Sequence, residues 1–116
     1  RTTALRECNE EIGVREEDVE IIGRLDDMYT LTGFVIAPYV GTIPFPYDFK
    51  LNSSEVAYLI HLPLNFLLET EPVIETARHD GKVQHVPSLY FEGDRIWGAT
   101  CRILLTLRDI IGREKI

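Results

Sequence analysis

The stretch Thr3-Ala4-Leu5-Arg6-Glu7-Cys8-Asn9-Glu10-Glu11-Ile12-Gly13-Val14 constrains the fold of this chain more than any other. Wound at about 100° per residue, it places Ala4, Leu5, Cys8 and Ile12 in one arc and Glu7, Glu10 and Glu11 in a neighbouring one. The spacing predicts a helix with an apolar stripe toward a core and three carboxylates beside it. Gly13 supplies a residue able to take positive φ just past the helix end.

The placement of those acids is the informative part. A helix C-terminus carries the negative end of the dipole, where an acid is disfavoured by about 0.3–1 kcal/mol. Glu7 also has like-charged neighbours at i+3 and i+4, each costing a few tenths of a kcal/mol. A helix built for stability alone would carry Lys or Arg here. Carboxylates kept together against both penalties point to a compensating cation, and all-oxygen donors point to Mg²⁺ or Mn²⁺. The same pattern also fits a solvated acidic face on a docking helix.

Length and charge narrow the classes. At 116 residues the chain has room for one small domain, 1–116. Its 12 basic and 19 acidic residues give a net charge of −7, which argues against a nucleic-acid partner. A small anionic substrate remains compatible if metal ions neutralise it locally. No apolar run approaches the length of a membrane span, so no membrane partner is expected. Cys8 and Cys101 form no metal cluster or disulfide framework. Both sit at apolar helical positions and read as small buried hydrophobes in a reducing, cytoplasmic setting.

Further along, Val19–Gly23 and Phe34–Gly41 read as strands, the second edged or bulged at Pro38. Residues 25–33 read as a loop or strand edge, and 42–54 as a loop. Glu55–Leu62 reads as another strand, Pro63 opens a short helix through Leu68, and Asp80-Gly81 marks a hairpin turn in an otherwise polar stretch. Val86–Phe91 reads as a strand. Ile96, Ala99, Ile103, Leu104, Leu107, Ile110 and Ile111 mark the apolar face of a final helix closed by Gly112. The class is α/β in the α+β sense.

Arg6-Glu7-Cys8-Asn9-Glu10-Glu11-Ile12-Gly13-Val14 resembles the second half of the Nudix box. That resemblance implies an α/β/α sandwich around a mixed sheet, with Glu7, Glu10 and Glu11 holding divalent cations and Arg6 orienting a glutamate. The glycine and further glutamate of the first half would lie before Arg1, so the resemblance implies an N-terminally truncated part of a longer protein. A partly built sheet would expose an edge open to a second copy, so the chain is expected either to be poorly stable or to associate, for instance as a homodimer.

Beyond the box the chain is similar to the coenzyme A pyrophosphatase branch. The similarity runs through Thr3-Ala4-Leu5-Arg6-Glu7, Gly23-Arg24-Leu25-Asp26-Asp27, Thr30-Leu31-Thr32-Gly33 and Ile36-Ala37-Pro38-Tyr39-Val40-Gly41. It continues through Glu55-Val56, Pro63-Leu64 and Ile96-Trp97-Gly98-Ala99-Thr100. The branch's coenzyme A signature, which precedes the helix, is absent. The implied reaction is metal-dependent hydrolysis of the diphosphate of coenzyme A to 3′-phosphoadenosine 5′-phosphate and 4′-phosphopantetheine. Hydrolysis of another nucleoside diphosphate derivative, such as ADP-ribose or NADH, and a non-catalytic binding module are the competing readings. Glu7 and Glu55 are the candidates for general base, Glu55 equally reading as an exposed strand-start acid. Tyr29 and Tyr39 read as core aromatics or adenine contacts, and Trp97 as packing at a helix start. His61, His79 and His85 show no ligand spacing.

Overall fold

A computed structural model describes residues 1–30 and 32–114, and of residues 79, 113 and 114 the backbone alone. The chain forms two compact units, Arg1–Arg24 with Pro38–His61, and Leu25–Ala37 with Leu62–Ile116. Both combine helix with antiparallel sheet, the α+β class that the sequence predicts.

In the first unit, α1 (Thr2–Ile12) is followed by a 3₁₀ turn (Glu16–Asp18) and β1 (Glu20–Arg24). β1 pairs antiparallel with Tyr39–Thr42, and the register shifts between Ile21 and Gly23. Ile22 is therefore a bulge residue, and its side chain is exposed. Val14 is the apolar residue packed to 1% exposure in this unit.

The second unit contains β2 (Met28–Tyr29), paired with β3 (Val35–Ile36). The predicted strand Phe34–Gly41 is thus split. Its first half, β3, belongs to the second unit, and its second half, β4 (Tyr39–Thr42), belongs to the first. Pro38 lies at the division, where it has no N–H to offer a ladder and restricts the residue before it.

After α2 (Leu64–Glu69), β5 (Val73–His79), β6 (Lys82–Phe91) and β7 (Asp94–Ile96) form a three-stranded meander, and α3 (Gly98–Glu114) closes the chain. The β5–β6 connection is Asp80-Gly81, with φ of 53° and 75°, as the turn signal predicts. Glu92-Gly93 makes the same positive-φ pair between β6 and β7. Leu67, Leu89, Ile96 and Cys101 form the core, flanked by Leu62, Leu104 and Leu105. Arg108 Nη1 donates to the carbonyl of Thr70, the residue capping the C-terminal end of α2, at 3.1 Å. A cation there complements the negative end of the helix.

Three assignments need correction. Glu55–Leu62 is neither strand nor helix, because β-rich composition makes a strand only where a neighbour pairs with it. Ile96 ends β7 rather than beginning the last helix. Gly112 does not stop that helix, which runs to Glu114, since an interior glycine costs about 1 kcal/mol without breaking it.

Tyr29 is also placed differently from a core aromatic, at 67% exposure, and Trp97, next to the start of α3, is 58% exposed. The Arg95 guanidinium lies 4.8 Å from the Trp97 ring centroid, while its Nε and Nη2 reach Glu75 Oε1, each at 3.1 Å. Tyr90 donates to Glu75 Oε2 at 2.8 Å. Buried Ser88 Oγ meets no partner at hydrogen-bond geometry, yet its hydroxyl beside Glu75 joins Tyr90 and Arg95 in holding that carboxyl below its usual range. Trp97 is the single tryptophan of the chain. Arg95→Ala is expected to shift its fluorescence emission to the red as the ring loses its cover; unchanged emission would contradict this stacking.

Candidate active site on α1

The amphipathic pattern of α1 is realised in the first unit. Ala4, Leu5, Cys8 and Ile12 line one apolar cleft of about 320 Å³, together with residues such as Val14, Val19 and Ile21. Cys8 is half-buried on this face, and burial, with the Glu11 carboxylate adding to it, pushes its thiol pKa up. A thiol so placed stays neutral and packs rather than reacts.

Glu7 and Glu10 are exposed and Glu11 is half-buried. Arg6 Nε lies 3.9 Å from Glu10 Oε1 in an i,i+4 pair with both side chains 62% exposed, so the pair adds little stability. Among the described residues, no three His, Cys, Asp or Glu side chains converge on a metal position. The donor chemistry nonetheless fits a hard divalent cation. Mg²⁺ keeps several waters and takes one or two carboxylates plus substrate phosphates, rather than a full protein cage.

The C-terminal end of α1 is built with more precision than its sequence reveals. Gly13 adopts φ 74°, ψ 20°, and its N–H donates to the Asn9 carbonyl at 2.9 Å. Two carbonyls at this end then receive backbone donors from a remote segment. Lys50 N donates to Ile12 O at 3.0 Å, and Asn52 N to Glu11 O at 2.8 Å. These bonds satisfy acceptors that a helix end leaves open.

Asn52 also organises the turn that carries Glu55. Its carbonyl accepts from Glu55 N at 2.9 Å and Val56 N at 2.8 Å, while its Oδ1 accepts from the Ser54 hydroxyl at 2.7 Å. Glu55 therefore sits not at a strand start but on an exposed turn whose anchor residue is bonded to the backbone of Glu11. The structure thus links Glu55 to the backbone of Glu11 through Asn52, a residue that the sequence marks only as part of the loop 42–54.

A second clamp lies just beyond the helix. Tyr47 OH donates to Asp18 Oδ2 at 2.7 Å and accepts from Arg15 N at 3.0 Å, and Arg15 Nε donates to the same Asp18 oxygen at 3.3 Å. The Tyr47 hydrogen bond, with help from Arg15, holds the Asp18 carboxyl below its usual range. A carboxylate depressed in the folded state contributes stability above its unfolded-state pKa of about 3.9, and that contribution is lost as pH falls through the folded value. Tyr47→Phe is expected to raise the Asp18 titration toward the ordinary value and move the onset of acid unfolding to higher pH. An NMR titration with melts at descending pH reads both; an unmoved Asp18 would contradict the clamp.

The Tyr39 ring lies 5.8 Å from the Arg24 guanidinium, and His61 packs near Phe49 and Phe45 with centroids 6.0 and 6.4 Å away. The side chain of His79 lies outside the described residues. Among those described, no helix is long and apolar enough to cross a membrane.

No family model matches the chain. Similarity to individual proteins is extensive. The chain is 35% identical over 106 residues, 90% of its own length and 54% of the relative's, to a protein of Yersinia enterocolitica serotype O:8 named "Uncharacterized Nudix hydrolase NudL". Proteins of the same name from Yersinia pestis strain Pestoides F and Yersinia pseudotuberculosis serotype O:1b are 32% identical over 104 residues, 89% of this chain and 52% of theirs. The chain spans about half the length of these curated relatives. The match runs over nine tenths of the chain, to proteins bearing the Nudix name.

Proposed function

We propose that this protein acts in the metal-dependent hydrolysis of the diphosphate of coenzyme A, giving 3′-phosphoadenosine 5′-phosphate and 4′-phosphopantetheine. The observation that carries the reading is α1 itself, a helix bearing Glu7, Glu10 and Glu11 and closed by left-handed Gly13, in a chain similar to proteins named Nudix hydrolases. The choice of coenzyme A rests on the resemblance of segments such as Ile96-Trp97-Gly98-Ala99-Thr100 to that branch.

Glu7, Glu10 and Glu11 are the residues that would hold Mg²⁺ or Mn²⁺, and such an ion would supply charge neutralisation and a more acidic water. The chain's own contribution is to present these carboxylates from a helix, where Arg6 sits one turn from Glu10 and would orient it. Glu7 on the helix and Glu55 on the Asn52 turn are the carboxylates available to take the proton of the attacking water. The Asn52–Glu11 backbone bond fixes the position of that turn against the end of α1. Cleavage places the new hydroxyl on one phosphorus and leaves the other phosphate as the departing monoester.

Turnover of coenzyme A in Mg²⁺ and in EDTA tests the reading. Release of 3′-phosphoadenosine 5′-phosphate in Mg²⁺ alone is expected, and equal release in EDTA would contradict a metal-dependent site on α1.

A further inference from the structure

The second unit contains a cleft lined by none of the carboxylates assigned above to hydrolysis. It measures about 450 Å³, within the range of small-ligand sites, and is walled by segments of β2, β6 and α3 with the loop after β2. Its character differs from that of the chain as a whole. In a protein with 19 acidic and 12 basic residues, the described lining holds no Asp or Glu, yet it holds Arg102 and His85.

Arg102 is held in place. Its Nη1 donates to the carbonyl of Tyr29 at 3.1 Å, which uses one of the five N–H donors of the guanidinium and fixes the direction of the others. Thr30 is also ordered, its hydroxyl accepting from Phe34 N at 3.0 Å. Tyr29, a largely exposed aromatic, lines the cleft with Pro87 and Ala99. A flat ring finds apolar surface there, and an oxyanion finds a fork donor that suits phosphate geometry. Ala99 lies in the first turn of α3, where the dipole adds a favourable field for negative charge.

We propose that this cleft is a binding site for a small molecule bearing a phosphate monoester on a flat ring, with the phosphate on Arg102 and the ring against Tyr29 and Pro87. Phenyl phosphate is the probe, titrated into the ¹⁵N-labelled chain in EDTA, so that the outcome is independent of any metal-dependent hydrolysis. Saturable shifts are expected at the amides of Tyr29, Thr30, His85, Ala99 and Arg102, with weaker binding of inorganic phosphate and none of phenol. Arg102→Gln is expected to weaken binding by about tenfold or more. Because Arg102 also braces Tyr29, Ala99→Glu serves as the second variant. Its carboxylate suits the first turn of a helix, so the melting temperature should hold, while its charge and volume oppose the ligand. Absence of saturable shifts up to about 10 mM, or binding untouched by Ala99→Glu, would overturn the proposal. Phosphate binding as tightly as phenyl phosphate would overturn the ring's role.

Discussion

Glu11→Gln is expected to lower metal-dependent turnover of coenzyme A by well over tenfold, a loss of more than about 1.4 kcal/mol of transition-state stabilisation. The substitution keeps the shape of the side chain and removes its charge. Glu10→Gln should behave alike. The argument gains force from the stability side. An acid in the last turn of α1 opposes the dipole, and Glu7 stands against both of its acidic neighbours, so removing one charge should leave the melting temperature level or raise it slightly. Activity lost while stability holds or rises is the signature of a carboxylate retained for a ligand. Turnover and a thermal melt on the same variants check this, and near-normal turnover in either would remove the metal assignment.

Gly13→Ala is expected to be among the most destabilising substitutions in the first unit. Its φ of 74° lies in the left-handed region, which costs a residue with a Cβ roughly 1–2 kcal/mol. Space adds to this. A Cβ at Gly13 would lie 2.8 Å from Lys50 Cβ and 2.9 Å from both Lys50 N and Lys50 O, closer than real contacts allow. Two of those atoms are backbone, so relief requires moving the segment that donates to Ile12 and Glu11. Strain and lost hydrogen bonds together come to about 2–4 kcal/mol, or a fall in melting temperature on the order of 10 °C for a domain of this size. The variant should also lose turnover, because the Asn52 turn that bears Glu55 hangs from the same contacts. A melt within a few degrees of the parent would show that residue 50 yields freely.

These two sites differ in how legible they are in the sequence. The helix, its apolar stripe, its acidic face and the closing glycine follow from spacing alone, because a 3.6-residue period and a positive-φ terminator are local properties. The short helix after Pro63 and the Asp80-Gly81 turn are local in the same sense. The Lys50 and Asn52 clamp is not. It is made of backbone N–H groups, which every residue but proline possesses, so no side-chain pattern announces it. Only the close approach at Gly13 leaves a trace.

The Tyr47–Asp18–Arg15 network joins residues about thirty positions apart, and each looks like ordinary loop polarity. Glu55 shows the opposite failure. The apolar run after it has strand composition, but Asn52 bends the chain into a turn and no neighbouring strand pairs with it. Glu55 remains a candidate for a reason the sequence does not contain, its tether to Glu11. Phe34–Gly41 fails differently again, since a proline that reads as a bulge instead divides the run between two units.

The central claim is that the acidic face of α1 serves metal-dependent cleavage of a coenzyme A diphosphate. Incubation of the chain with coenzyme A, ADP-ribose and NADH, each with Mg²⁺ and with EDTA, tests it most directly when products are read by mass. The account predicts 4′-phosphopantetheine and 3′-phosphoadenosine 5′-phosphate from coenzyme A in Mg²⁺ only, with slower turnover of the other two. AMP released from ADP-ribose or NADH while coenzyme A stays intact would contradict the substrate, and intact starting material in every tube would contradict hydrolysis by this chain.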